Sequence, residues 1–215
     1  MQQTEKRNTM PKGSEELTEL RKNEIIEACA RLYEMKGFKE ITIKDISKET
    51  SFSRPSIYNY FETREEIFLA LLTQEYDEWG RSLRQIMKSE TVTGADELTK
   101  KLAKSMEKRR ILLKISAMNL YEIEENSRPE MLVRFKFSFK ASMDAFKGCL
   151  RQYLPGITDT KIAQITYAFF PFMYGIYPYT YPTEKQCKAM DEAKIPYKVQ
   201  SVYELTYSFL IQILK

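Results

Sequence analysis

A run of polar and aromatic side chains between residues 54 and 60 has the chemistry of a nucleic-acid contact surface. At helical spacing its outward members are Arg54, Ser56, Tyr58, Asn59 and Tyr60. Arginine can donate two hydrogen bonds to guanine and asparagine can pair with adenine, while hydroxyl groups bond to phosphate. We therefore expect this run to contact phosphates and base edges. Without its neighbours, Arg54 would be interpreted as a solvated residue at the start of a helix. Asn59 either hydrogen-bonds to adenine or points to the side of the contact surface.

Two short helices joined by a tight turn, within residues 42–61, would hold these side chains. Thr42 is suited to cap the first helix, with Asp45 completing a capping box. Ser53 is a natural cap for the second helix, which we expect over residues 54–61, and Pro55 falls in its first turn, where a missing N–H costs little. Lys44 and Lys48 fit solvated positions better than phosphate contacts.

An amphipathic helix from about Glu16 to Lys36 precedes this pair, and Gly37 closes it. Three helices ending in a helix-turn-helix form a recognised DNA-binding architecture. We divide the chain into a disordered tail at 1–15, a helix-turn-helix DNA-binding domain at 16–63 and a helical ligand-sensing and dimerisation domain at 64–215.

The remaining sequence predicts an all-α body. A long helix capped by Thr63 connects the head to it, and Pro171 should kink a later helix. A division near Arg109–Arg110 is left open, and residues 177–196 should be mostly irregular, with room for one turn of helix near Glu184–Met190. The expected helices cover residues 63–87, 95–126, 129–153 and 198–214, with a further one beginning at 158.

The amino-acid composition argues against most classes of catalytic site. The 215 residues contain no histidine, and neither a GxGxxG nor a GxxxxGK[ST] sequence occurs. The three cysteines are far apart, which argues against a disulfide framework and a zinc site. No apolar run approaches ~20 residues, and the N-terminus lacks the apolar stretch of a signal peptide. We expect a cytoplasmic protein that is not an enzyme, has no metal or cofactor, and does not span a membrane.

Three segments carry a family resemblance over roughly residues 21–72. LYEMKGFKEITIKDI, SFSRPSIYNYF and ETREEIF resemble the tetracycline-repressor (TetR) family of bacterial one-component regulators, whereas the rest matches only in layout. The chain departs from the family at Thr50 and Ser51, where the turn usually has Ala and Gly, and at Tyr60, which is often His.

The resemblance implies a homodimer whose two heads bind a palindromic DNA operator in successive major grooves. A small-molecule effector entering the body would spread the heads and release the DNA, so we expect a repressor. By position, Thr42 and Arg64 match phosphate contacts, Arg54 and Ser56 match base-edge contacts, and Tyr58 and Tyr60 match aromatic contacts to the backbone or thymine methyls. With Asn59, these seven residues form the expected DNA-binding set.

The body contains aromatic and thioether side chains suited to an apolar effector pocket. The candidates are Trp79, Met118, Tyr121, Phe137, Phe169, Phe172, Met173 and Tyr174. For each of them, ordinary core packing is the competing interpretation. Glu122, Glu124 and Glu125 would balance a cationic ligand, although three acids near a helix end are usually solvated.

The final two helices are the expected dimer surface, forming a four-helix bundle with their copies. One alternative is an all-α protein-interaction module that does not bind DNA. It is favoured by the near-neutral head, since residues 1–64 hold 12 Lys and Arg against 11 Asp and Glu. An enzyme acting on a lipophilic substrate has little support.

Overall fold

The computed structural model describes residues 12–214, with side chains from Ser14 onward, and this part of the chain contains helices and no strand. The all-α prediction is therefore confirmed. The helices are α1 (Lys12–Met35), α2 (Ile43–Lys48), α3 (Arg54–Ile57), α4 (Arg64–Met87), α5 (Ala95–Glu107), α6 (Arg110–Met118), α7 (Leu120–Glu125), α8 (Pro129–Tyr153), α9 (Asp159–Gly175), α10 (Tyr177–Thr180), α11 (Glu184–Glu192) and α12 (Val202–Ile213), with a 3-10 turn at Phe38–Glu40.

Side-chain caps fix the starts of the short helices in the head. The Thr42 hydroxyl accepts from the Asp45 amide at 3.2 Å, and the Asp45 carboxylate accepts from the Thr42 amide. The Ser53 hydroxyl accepts from the Ser56 amide, with Pro55 in the first turn of α3. Both predicted caps are confirmed. They hold α2 and α3 in place although neither is long enough to be stable alone.

Two boundaries in the head differ from expectation. Helix α1 begins at Lys12, so residues 12–15 belong to it rather than to the tail, while residues 1–11 lie outside the described part of the chain. Gly13 and Ser14 are weak helix formers, which explains the later predicted start. Helix α3 ends at Ile57 instead of Phe61, because residues 58–60 continue as tighter turns in which the Tyr60 amide donates to the Ile57 carbonyl.

Helix α4 is the spine of the molecule, running from the head through the body and packing along α8. Its capping residue Thr63 accepts from the Glu66 amide at 3.1 Å. Trp79 lies fully buried at its centre, close to Phe146 and Phe169, whose rings stack with centroids 4.6 Å apart. The body is therefore built around an aromatic core.

The segment predicted as one helix over 95–126 forms three helices. The break at Arg109 agrees with the division left open above, but a second break at Asn119 was not expected. Asn119 ends α6 and starts α7 with φ −141° and ψ 0°. Helix α9 continues past Pro171 to Gly175, and α11 extends the helical turn considered near Glu184–Met190 to nine residues. No helix within residues 12–214 is long and apolar enough to cross a membrane.

Candidate nucleic-acid interface and effector region

An open groove on the outer face of the head collects several of the expected DNA-binding residues. Its volume is about 410 Å³, with Ile41 and Ile43 also in its walls. Its polar lining is Thr42, Lys44, Arg54, Tyr58 and Arg64. The start of α2 and the exposed side of α3 therefore face the same space.

Arg54 and Tyr58 form the exposed centre of this surface. An Arg54 Nη donates to the Tyr58 hydroxyl at 3.3 Å, and the guanidinium carbon lies 5.9 Å from the ring centroid. Tyr58 is 43% exposed. The phenol limits the freedom of the arginine while leaving its other N–H groups free to pair with an acceptor such as a guanine edge.

Thr42 and Lys44 provide a polar edge to the groove. The Thr42 hydroxyl donates to Asp45 at 2.6 Å, and that hydrogen bond is the main cause of the lowered pKa of Asp45. The Thr42 hydroxyl is thus already engaged in capping. Lys44 is exposed and lines the groove, although the sequence alone favoured a solvated role for it.

Arg64 is directed into the protein rather than toward solvent. Its guanidinium donates to the carbonyls of Phe38 and Ile41, each at 3.1 Å, and to Glu65 at 2.6 Å and 3.0 Å. It also covers the Phe38 ring at 4.3 Å. Protein acceptors therefore engage most of its donors, and contact between Arg64 and phosphate stays a prediction. Arg64 joins the linker before α2 to the start of α4.

The other three expected DNA contacts lie away from the groove. The Ser56 hydroxyl is 2.8 Å from that of Ser53. Asn59 is exposed, and the Tyr60 hydroxyl accepts from Arg21 at 3.2 Å. Asn59 and Tyr60 line a different cavity, of about 480 Å³, between the head and helices α4 and α8. Contact between these three residues and DNA stays a prediction.

The turn before α3 is held by an acid that the sequence did not single out. Glu24 on α1 accepts from the Ser51 amide at 2.5 Å and from the Ser51 hydroxyl at 3.1 Å. The backbone at Ser51 does not adopt a positive φ. Among the non-glycine residues within 12–214, it is Lys194 that has a positive φ. The turn therefore does not need the glycine usual in the family.

A buried ion pair joins the first turn of α4 to the body. Arg128, which precedes α8, donates to the fully buried carboxylate of Glu66 at 2.6 Å and 2.9 Å. The Glu62 and Arg128 amides donate to the same carboxylate. Burial alone would raise the pKa of Glu66, but these bonds hold it below its ordinary value.

The eight candidate effector residues do not line one cavity. Trp79, Phe169 and Met173 are buried in the core, whereas Phe172 stacks on Phe209 with centroids 4.0 Å apart. Tyr174 accepts from the Tyr76 hydroxyl at 3.2 Å.

The other three are exposed: Met118 by 59%, Tyr121 by 83% and Phe137 by 69%. Contact between these three residues and an effector stays a prediction. Met118 is the last residue of α6 and Tyr121 is the second residue of α7, so they lie on either side of the unforeseen break at Asn119. Phe137 lies on the outer side of α8, where its VRFKFSF segment supplies more apolar residues than the inner face can bury.

The C-terminal helices differ in how they pack. Helix α12 buries Val202, Thr206 and Leu210 and packs mainly on α5 of the same chain. Helix α11 has no buried residue within its nine. Helix α9 buries Phe169 and Met173 but leaves Tyr167 80% exposed. Helix α9 therefore offers an exposed aromatic side chain for association, whereas the exposed side of α11 is mostly polar.

Comparison with known proteins settles the family. Residues 25–71 match the family model for bacterial regulatory proteins of the tetR family, and residues 73–212 match the model for tetracyclin repressor-like C-terminal domains. The chain belongs to the TetR family. It is a DNA-binding transcriptional regulator and not an enzyme.

Relatives agree with this assignment. The chain is 35% identical over 97 residues to the HTH-type transcriptional regulator YfiR of Bacillus subtilis, covering 43% of this chain and 47% of YfiR. The matched segment thus spans about half the length of that curated relative.

Solved TetR-family structures share the fold along most of the chain. A TetR/AcrR-family regulator from Thermobifida fusca has a TM-score of 0.61 at 17% identity, with 91% of this chain and 97% of that one covered. Bacillus subtilis FadR, in complex with stearoyl-CoA, has a TM-score of 0.57 at 15% identity, with coverages of 90% and 97%.

Proposed function

We propose that this TetR-family regulator is a cytoplasmic repressor that binds a palindromic operator as a homodimer and is released by a small, largely apolar ligand. The observation that carries the proposal is the exposed Arg54–Tyr58 pair on the open groove of the head. Both side chains are exposed, and the groove that they line is open to solvent. Arg54 would read a base edge, while Tyr58, Thr42 and Lys44 would contact the backbone.

A few specifically positioned contacts, rather than a strongly positive surface, would supply the affinity for DNA. The head is close to neutral over residues 1–64, with 12 basic and 11 acidic residues. A single head would therefore bind weakly, because phosphate contacts dominate non-specific affinity and are few here. Two linked heads gain through effective concentration, which is why we infer a dimer.

The outward faces of α9 and α12 support the dimer. Beyond the first three residues of α9, the exposed positions follow helical spacing at Gln164, Tyr167, Ala168, Pro171 and Gly175. This stripe is largely apolar or small, which suits close approach of a second copy. On α12 the side away from α5 would join it, so the interface uses the last two long helices.

The aromatic body supports a largely apolar effector. Tyr76, Trp79, Phe135 and Phe169 lie in one packed cluster that crosses α4, α8 and α9. FadR has the same fold and was solved with stearoyl-CoA, so this fold can accommodate a ligand with a long apolar part. We infer an effector for this chain but not the same one.

Selection of random or genomic duplex DNA with the purified chain tests the proposal. We expect enrichment of a palindrome whose half-sites lie about 10 base pairs apart or at a multiple of that spacing. Binding should weaken steeply as salt rises. Failure to enrich any sequence, while the protein is folded and dimeric, would favour the protein-interaction module, to which the near-neutral head is well suited.

A further inference from the structure

The turn between α2 and α3 is bonded to α1 at two points. Glu24 accepts hydrogen bonds from the Ser51 amide at 2.5 Å and from the Ser51 hydroxyl at 3.1 Å. Arg31, two helical turns further along α1, donates to the Glu49 carbonyl at 3.2 Å, where α2 ends. Glu24 and Arg31 are seven positions apart, so they lie on the same face of α1. A long helix therefore holds the turn that leads into α3.

Helix α3 depends on this turn for its direction. It has four residues, of which Ile57 is the buried one, and a helix this short is not stable by itself. Phe52 in the turn is half-buried, and Phe61 after α3 is buried. These apolar contacts anchor α3 on its inner side. The turn residues decide where its first residue, Arg54, points.

The bonded residue Ser51 lies close to Arg54 along the chain. Two residues separate them, and one of these, Ser53, caps α3. The shorter of the two bonds to Glu24 uses the backbone amide of Ser51, so it fixes the course of the chain and not only a side chain. A displacement at Ser51 would therefore reach Arg54 with little intervening chain to absorb it.

An acid in this place is unfavourable for DNA binding on electrostatic grounds. Glu24 is half-buried, and none of the ion pairs among the described side chains includes it. Its negative charge is therefore not neutralised by a cation of the protein, and it would repel DNA phosphates that approach Arg54. The head is close to neutral and has no excess of basic residues to offset this repulsion. A benefit to DNA binding from Glu24 must come from its hydrogen bonds to Ser51.

We propose that Glu24 is a positioning residue for DNA recognition. It does not touch DNA. Its carboxylate holds the Ser51 amide, so that α3 has its binding orientation before DNA arrives and the cost of ordering the turn is not subtracted from the binding free energy. Binding to the operator gains from this order, whereas non-specific binding, which depends on charge, is weakened by the acid. The proposal rests on the proposed function, because it concerns the same DNA-contact surface.

Three variants of α1 separate the effect of the hydrogen bond from that of the charge. Glu24→Ala removes both, whereas Glu24→Gln removes the charge and keeps a carbonyl oxygen that can accept from the Ser51 amide. Glu27→Ala is the matched control, because Glu27 is an exposed acid on the same helix that makes no hydrogen bond or ion pair within the described part of the chain. The affinity of each full-length variant is measured for the palindrome enriched in the selection and for a scrambled duplex of the same length.

The two duplexes should respond to Glu24→Ala in different directions. We expect this variant to bind the palindrome about tenfold more weakly than the parent, because a hydrogen bond to a charged group is lost. It should bind the scrambled duplex as tightly as the parent or more tightly, because a negative charge is lost. Glu24→Gln and Glu27→Ala should bind both duplexes at least as tightly as the parent. A variant that merely unfolded the head would lose affinity for both duplexes.

Hydrogen exchange of the protein without DNA, followed by mass spectrometry, tests whether Glu24 holds the turn. The peptide that contains residue 51 should exchange faster in Glu24→Ala and at the parent's rate in Glu24→Gln and Glu27→Ala. The proposal would be overturned by unchanged exchange or unchanged affinity for the palindrome in Glu24→Ala, by an equal loss of affinity for both duplexes, or by an equal loss in Glu24→Gln. If the parent itself bound no palindrome, the proposed function would fail, and the exchange rates would still decide whether Glu24 holds the turn.

Discussion

Arg128 closes a two-point ion pair on Glu66, a fully buried carboxylate in the first turn of α4. The pair joins the start of α8 in the body to the helix that leaves the DNA-binding head. Thr63 strengthens the same joint, because its hydroxyl donates to the Asn126 carbonyl at 3.0 Å. The angle between the head and the body is therefore set by specific polar contacts and not by apolar packing alone.

Removing Arg128 should destabilise the protein more than removing other surface cations. Arg128→Ala would leave the Glu66 charge buried with amide donors only. We expect a loss of about 2–3 kcal/mol in the free energy of unfolding, below the value for fully buried pairs because Arg128 is partly exposed. Denaturant unfolding measures it. Arg134→Ala, which removes an exposed pair with Glu19, should cost less than about 1 kcal/mol, and equal losses would contradict the assignment.

Glu66 should also contribute to the decrease in the free energy of unfolding at acidic pH. Its pKa in the folded protein lies below the ordinary 4.5, so the unfolded chain binds the proton more readily. The stabilisation is present above about pH 4.5 and is lost as the pH falls through the folded-state pKa. In Glu66→Gln the free energy of unfolding should fall less steeply below pH 5. An unchanged slope in that variant would exclude Glu66 as a contributor.

The helix caps are a part of the structure that could be predicted from the sequence alone. The caps at Thr42, Ser53 and Thr63 followed from local chemistry, because a cap depends on residues three positions apart. The inward orientation of the Arg64 side chain could not be predicted in this way. Its acceptors, the carbonyls of Phe38 and Ile41, are positioned by the packing of α4 against the linker.

The break at Asn119 could not be predicted from the sequence either. Apolar residues continue at helical spacing across residues 112–123, so the pattern did not indicate a break at Asn119, whose side chain accepts from the Tyr33 hydroxyl. The expected effector residues Met118 and Tyr121, on either side of this break, are exposed. The family, the helical class and the exposed Arg54 could thus be predicted from the sequence, whereas the exposure of Met118 and Tyr121 could not.

The proposed dimer can be tested at the exposed stripe of α9. Tyr167→Glu would place two like charges near the symmetry axis, so the variant should become monomeric while its helix content stays the same. Its operator affinity should fall by about 100-fold, because one head loses the effective concentration supplied by the other.

A matched control is available on the neighbouring helix. Tyr179 is 75% exposed on α10 and lies outside the stripe, so Tyr179→Glu should remain dimeric and bind the operator normally. Sedimentation velocity gives the oligomeric state. A monomeric Tyr179→Glu together with a dimeric Tyr167→Glu would move the interface to another face.

The most direct test of DNA recognition by Arg54 is a double-mutant cycle with the operator. Each half-site position occupied by guanine is replaced in turn, and affinity is measured for the parent chain and for Arg54→Ala. At one symmetric position, the base change should cost the parent about 1–3 kcal/mol per contact and cost Arg54→Ala almost nothing. If every base change costs both proteins equally, Arg54 reads no base and the proposed recognition surface is wrong.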